Sequence, residues 1–277
     1  MRIALIYATW PDTPFGITWH KFAGSMRAAG LSQQLAEAGH EVEEHVLTAN
    51  GPQAAELRGA FELSREIGRT CRQAIEAGAF PVIVSGSCSV AATGVIAGIG
   101  DKRTGMLWMD THPDLNTPET TATGLFDGMA VAITLGACWK HMAADVAGLR
   151  RPIAARDLCL YGARDIDPGE AHYIRSHDIP VIRSASEVVR HLGDCERAYL
   201  HLDMDVHDPE TLRANKYEVA GGPTPEAVSG LLAELADELP VAALSVTSLD
   251  PETPDGPLAI AAAIAHIRTV CDVRKAA

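Results

Sequence analysis

Short β-rich runs alternate with segments of helical period from one end of this chain to the other. The runs cover residues 3–8, 41–47, 80–85, 105–109, 158–162, 181–183, 198–202 and 241–246. Helical spacing covers 20–38, 53–77, 89–99, 168–176, 185–191 and 225–238, and a last helix over 258–274 closes the chain. Such alternation predicts an α/β fold, a parallel sheet with helices on both faces. About eight strands would also close a βα barrel, so the pattern alone leaves that choice open. No linker, repeat or low-complexity stretch interrupts it, so residues 1–277 are expected to form a single domain.

Composition agrees with a sheet buried on both sides. Apolar residues make up 47% and aromatics only 5%, so Ala, Val, Leu and Ile carry the core. The formal net charge of −13 repels phosphate backbones, which makes nucleic acid and anionic membranes poor partners. No stretch approaches the roughly 18 apolar residues of a membrane span. The six cysteines, Cys71, Cys88, Cys138, Cys159, Cys195 and Cys271, form no C-x-x-C pair and read as reduced thiols in a cytoplasm.

In a barrel or an open sheet alike, the site lies beyond the carboxyl ends of the strands. Polar residues directly follow apolar runs at Gly86-Ser87-Cys88-Ser89, Asp110-Thr111-His112-Pro113-Asp114, Arg164-Asp165-Ile166-Asp167 and Asp203-Met204-Asp205. In extended chain, residues i, i+2 and i+4 point to one side, so Asp110, His112 and Asp114 are expected to converge, and likewise Asp203 and Asp205. Four carboxylates and an imidazole aimed at one point need a cation. They form a hard-donor set suited to Mn²⁺ or Mg²⁺. Two ions sharing these ligands would lower the pKa of a water between them and prepare it for hydrolysis.

The stretches WMDTHPDLNTPETTATG at 108–124, GARDIDPGE at 162–170, and LDMDVHDPE followed by GG at 202–222 resemble the arginase, or ureohydrolase, family. The resemblance implies a three-layer α/β/α fold with a central eight-stranded parallel sheet. It implies two Mn²⁺ ions bridged by Asp110 and Asp203, with Asp114 on the first ion and His112 and Asp205 on the second. Asn116, Thr121 and Thr123 fall where the family binds a substrate α-carboxylate, and Asp167 where it meets the α-amino group. Glu170, at the start of a helix, is a further candidate contact, and also suits a charge on the helix dipole. Asp114 or Asp127 is expected to handle the proton. The implied partner is a small amino acid, and family members often form homo-oligomers.

Five departures from the family pattern bear on the substrate. Cys88 stands where a metal-binding His is usual, and the resemblance makes it a ligand in that place. Asp127 replaces a His, Leu125 an Asn, and Ser248 a guanidinium-binding Glu, while Tyr217 occupies a position that is usually a small Thr. The amino-acid end of the pocket is thus retained and the guanidino end altered. Loss of an acidic partner weakens recognition of a full guanidinium and matters less for an N-hydroxyguanidine, which is less basic. The pattern resembles family members that hydrolyse Nω-hydroxy-L-arginine to hydroxyurea and L-ornithine in D-cycloserine biosynthesis. The alternatives are an ordinary arginase or agmatinase, and a non-catalytic metal-binding homologue.

Overall fold

The computed structural model describes residues 1–11, 18–51, 53–54 and 56–276. Its strands are β1 (Arg2–Thr9), β2 (Glu41–Thr48), β3 (Phe80–Ser85), β4 (Thr104–Met109), β5 (Leu158–Tyr161), β6 (Val181–Ile182), β7 (Arg197–Asp203) and β8 (Val241–Thr247). They form one eight-stranded sheet in the order β2-β1-β3-β8-β7-β4-β5-β6, with every pairing parallel. The sheet is open, which resolves the choice between sheet and barrel.

The helices are α1 (Phe22–Ala28), α2 (Leu31–Glu37), α3 (Leu57–Glu76), α4 (Cys88–Ile99), α5 (Ala130–Thr134), α6 (Pro168–Ser176), α7 (Ala185–Leu192), α8 (Pro225–Glu238) and α9 (Gly256–Ala276). Alternate strand residues separate two cores. Ile3, Leu5 and Tyr7 of β1 pack with α1, α2, α7, α8 and α9, whereas Ile6 of β1 and Trp108 of β4 pack with α3, α4 and α5. The result is the expected three-layer arrangement.

Three local expectations change. The helix expected over 20–38 is split at Gly30, whose φ of 76° is left-handed and cannot continue a helix. The helix expected from residue 53 begins at Leu57; residue 55 lies outside the described residues. Finally, α9 is long and apolar enough to cross a membrane by length and composition. It instead buries Ala259, Ala263, Ile267 and Val270 at helical spacing in the core it shares with α8 and the sheet.

α3 and α4 cross closely at Gly68, Gly94 and Gly98. A Cβ on Gly94 would lie 2.7 Å from Ile67 Cβ and 2.8 Å from Ser64 O, and one on Gly98 would lie 2.6 Å from Gly68 O. Only glycine permits backbones to approach so closely. This contact seats α4, and with it Cys88 at its first turn, behind the ends of the central strands.

The central strands set the position of the site. From β3 the chain skips two places to β4, and β8 and β7 later fill the gap. The carboxyl ends of β3, β8, β7 and β4 therefore lie side by side, where the connections diverge and leave a crevice.

Candidate metal centre

That crevice is a pocket of about 230 Å³ whose lining includes every candidate metal ligand, proton carrier and substrate contact named from the sequence. Cys88, Asp110, Asp114, Asp203 and Asp205 form its buried floor. Asn116 is buried beside them, while Thr123 and Asp167 are exposed at the rim.

Convergence is achieved differently from the strand alternation expected. β4 ends at Met109, and the chain then bends; Asp114 turns inward with a left-handed φ of 50°. β7 ends at Asp203, whose Oδ1 accepts the Asp205 N–H at 2.8 Å and caps a single 3₁₀ turn over Met204–Val206. Ser248, just after β8, has a φ of 60°. Two non-glycine residues in sparsely populated backbone regions at one site are strain of the kind that accompanies function.

The imidazole of His112 places Nδ1 3.3 Å from Asp110 Oδ1 and 3.5 Å from Asp205 Oδ2. One ligand atom from each of these three residues lies within 4.8 Å of the others, and the same holds for Cys88, Asp110 and His201. Burial pushes the Asp110 carboxyl up to about 7, and Asp205 beside it adds to the effect. Burial and neighbouring carboxylates also push Asp114 and Asp203 well above the usual range. Burial opposes ionisation at Asp205 as well, but hydrogen bonding to His112 prevails and holds it at about 2. At His112 burial acts downward, and the facing Asp110 and Asp205 carboxylates overcome it to raise the imidazole. Without a cation the clustered carboxyls relieve their mutual repulsion by holding protons. A divalent cation fits this donor set.

Other bonds hold the ligand candidates in place. Trp108 Nε1 donates to Asp110 Oδ2 at 3.1 Å, and the His112 backbone donates to Oδ1 at 2.7 Å. Asn215 Nδ2 donates to Asp205 Oδ2 at 3.3 Å and to Ser248 O at 2.8 Å. Cys88 Sγ lies 3.0 Å from Asp203 Oδ2, 3.1 Å from Thr247 Oγ1 and 2.9 Å from Ser248 Oγ, so the thiol sits among one carboxylate and two hydroxyls.

The substrate candidates divide by geometry. Asn116 Nδ2 donates to Asp167 Oδ2 at 2.8 Å, joining two of them across the mouth. Thr121 and Thr123 accept backbone N–H groups of Gly124 and Leu125 at 3.0 and 3.2 Å, which builds a turn, and their hydroxyls lie 3.5 Å apart, so one proton can bridge them while the other is left to donate. Glu170 accepts from Leu115 N and Asp167 N, both at 2.9 Å. It is chiefly a brace between the Asp114 loop and the start of α6. Asp127 Oδ1 accepts from Ser87 Oγ at 2.5 Å and Ser89 N at 3.0 Å. Asp127 thereby anchors the start of α4.

Sequence reasoning missed His201, in the middle of β7, and undervalued Arg164. The His201 signal was its spacing: residue i−2 from Asp203 lies on the same strand face. Arg164 donates to the carbonyls of Gly162, Val206, His207 and Val219 at 2.6–3.1 Å, which ties the loop after β5 to the loop after β7. Arg164→Ala is expected to cost about 1–3 kcal/mol, read as a lower urea midpoint with an unchanged slope. A midpoint equal to wild type would show that the loops hold without it.

A sequence model of the arginase family matches residues 23–271. The arginase of Bacillus subtilis (strain 168) is 27% identical over 218 residues, 72% of this chain and 73% of its own length. The N(omega)-hydroxy-L-arginine amidinohydrolase of Streptomyces lavendulae is 29% identical over 224 residues, 79% of each chain. The crystal structure of arginase from Bacillus cereus superposes with a TM-score of 0.88 over 98% of both chains at 23% identity, which shows the shared fold. With the metal-type motifs gathered at the ends of its central strands, the chain belongs to the arginase family, hydrolases that act on amidino groups.

Proposed function

We propose that this chain hydrolyses Nω-hydroxy-L-arginine to hydroxyurea and L-ornithine with two divalent ions, manganese in the form implied by its family resemblance. The observation that carries this reading is the floor of the pocket, where Cys88 and Ser248 hydroxyl and thiol groups meet at 2.9 Å in place of a carboxylate. Without a carboxylate at Ser248, this end offers less to a guanidinium cation and suits the less basic N-hydroxyguanidine. Tyr217, whose ring centroid lies 5.7 Å from that of Trp19, narrows the same end.

The residues divide the work by depth. Asn116, Thr121 and Thr123 donate to the α-carboxylate, and Asp167 accepts from the α-ammonium. Binding the amino-acid end at the rim holds the reacting carbon over the floor and lowers the entropic part of the barrier. A pair of divalent ions held by the floor carboxylates and His112 would supply Lewis acidity and lower the pKa of a bound water. Asp114, buried beside that position, accepts the proton released by the attacking water and returns it to the departing ornithine amine. The reaction belongs in a reducing cytoplasm, where the Cys88 thiol persists, and would serve a route to D-cycloserine.

A plain arginase is the second reading, favoured by the arginases among its relatives. Release of ornithine from hydroxyarginine and from arginine, measured side by side on manganese-loaded protein, separates the two. Preference for hydroxyarginine is expected. Faster release from arginine would mean that Cys88, Asp127 and Ser248 are tolerated changes in an arginase.

A further inference from the structure

The floor holds a second, softer donor set than the motifs alone suggested. His201 is fully buried on β7. Its ring lies flat on Trp108, with centroids 3.5 Å apart and planes 1° apart, and Trp108 is the same residue whose indole holds Asp110. Nδ1 is engaged on its outer side, 2.8 Å from Ser245 Oγ and 3.0 Å from Tyr199 OH. Nε2 points the other way, 3.2 Å from Thr247 Oγ1, whose hydroxyl in turn lies 3.1 Å from Cys88 Sγ. A metal-binding histidine has one ring nitrogen fixed by a hydrogen bond and binds through the other, which here means that the Thr247 hydroxyl gives up its contact with Nε2 to the ion. Ligand atoms of Cys88, Asp110 and His201 lie within 4.8 Å of one another, all three buried. A tetrahedral ion with bonds of about 2.0–2.3 Å needs donors about 3.5 Å apart, a closure within reach of small side-chain rotations.

We propose that His201 supplies from β7 the imidazole that the segment after β3 lacks, and that Cys88, Asp110 and His201 form a metal position which selects a thiophilic divalent ion, zinc or cobalt, over manganese. The proposal rests on the metal-centre reading above and deepens it: the two positions are chemically unequal. The outer one, at Asp110, His112 and Asp205, has carboxylates and one imidazole and accepts manganese. The inner one combines sulfur, nitrogen and oxygen, and thiolate favours zinc or cobalt. Cys88 binds as the thiolate, so one proton leaves to the solvent for each ion taken up there.

The test uses the chelator-stripped full chain. One equivalent of Zn²⁺, examined by X-ray absorption, is expected to show one sulfur at about 2.3 Å and at least one imidazole nitrogen. Co²⁺ is expected to give a thiolate charge-transfer band in the near ultraviolet. Excess Mn²⁺ would not bleach this band, and Cys88→Ser would abolish it. His201→Gln should keep the band, change the visible d–d spectrum and weaken the first Co²⁺ by at least about tenfold. Sulfur without imidazole around zinc, or a His201→Gln protein with the wild-type spectrum and affinity, would overturn the proposal while leaving the metal centre standing. Two bound ions with no charge-transfer band would do the same. Failure of the wild-type chain to bind any of the three metals would instead remove the metal-centre reading itself. The zinc measurement needs no variant, so a His201→Gln protein that fails to fold leaves the test intact.

Discussion

Asp110→Asn is expected to abolish metal binding and turnover together, with activity falling on the order of 1,000-fold or more. Asp110 belongs to both candidate donor groups, the one with His112 and Asp205 and the one with Cys88 and His201. No other residue is shared between them. The amide keeps the shape and an acceptor oxygen for one of the two bonds that Trp108 and the His112 backbone make to separate Asp110 oxygens, so the fold should survive with the other bond lost. It also removes one charge from a cluster of buried carboxylates that repel one another. The variant should therefore melt at a higher temperature than the wild type in chelator, and gain nothing from manganese. Calorimetry, metal analysis and an ornithine assay on one preparation read all three effects. Retained turnover would remove the metal hydrolase mechanism.

The second large effect is on the pH dependence of stability once metal is removed. The Asp110 carboxyl is raised from 3.8 to about 7 in the folded protein. Between those values the folded state holds a proton that the unfolded chain has lost, so stability falls as pH rises through that window. Asp114 and Asp203 act in the same direction. Asp205, held at about 2, acts oppositely: its contribution is present above 3.8 and is lost as pH falls towards 2. For these groups the metal-free protein is most stable just below about pH 4 and declines as pH rises from there towards 7. Divalent ions bind the ionised carboxylates, so the rise in melting temperature on adding Mn²⁺ should be larger at about pH 8 than at about pH 5. Coincident melting curves at the higher pH, with and without Mn²⁺, would mean that the cluster does not take up the ion.

Much of the architecture was legible because parallel strands advertise themselves as continuous apolar runs, and the functional residues stand where such runs stop. What escaped was what has no period. α5 is five residues long and wholly buried, so it shows no polar face for periodicity to detect. Gly30 sits within a helical pattern, and sequence alone does not say which glycine will turn left-handed. Asp110, His112 and Asp114 do share one pocket, but through a bend and a left-handed Asp114, where extended alternation had been expected. His201 was hidden inside the apolar run that marks β7, because its polar partners Tyr199, Ser245 and Thr247 come from separate points in the sequence. Asp127 and Glu170 were recognised as important positions, yet their bonds to backbone N–H groups depend on how loops meet.

The glycine contact between α3 and α4 turns the helix pair into a mechanical reference for the chemistry. Gly94 lies six residues beyond Cys88 on α4, about 9 Å along the axis. No compressible layer separates it from Ile67 and the Ser64 carbonyl. A single added methyl there would act as a wedge, tilting the start of α4 and altering how far the sulfur reaches towards the strand ends. The position of the Cys88 sulfur can thus be adjusted from a helix crossing that lies outside the lining of the pocket.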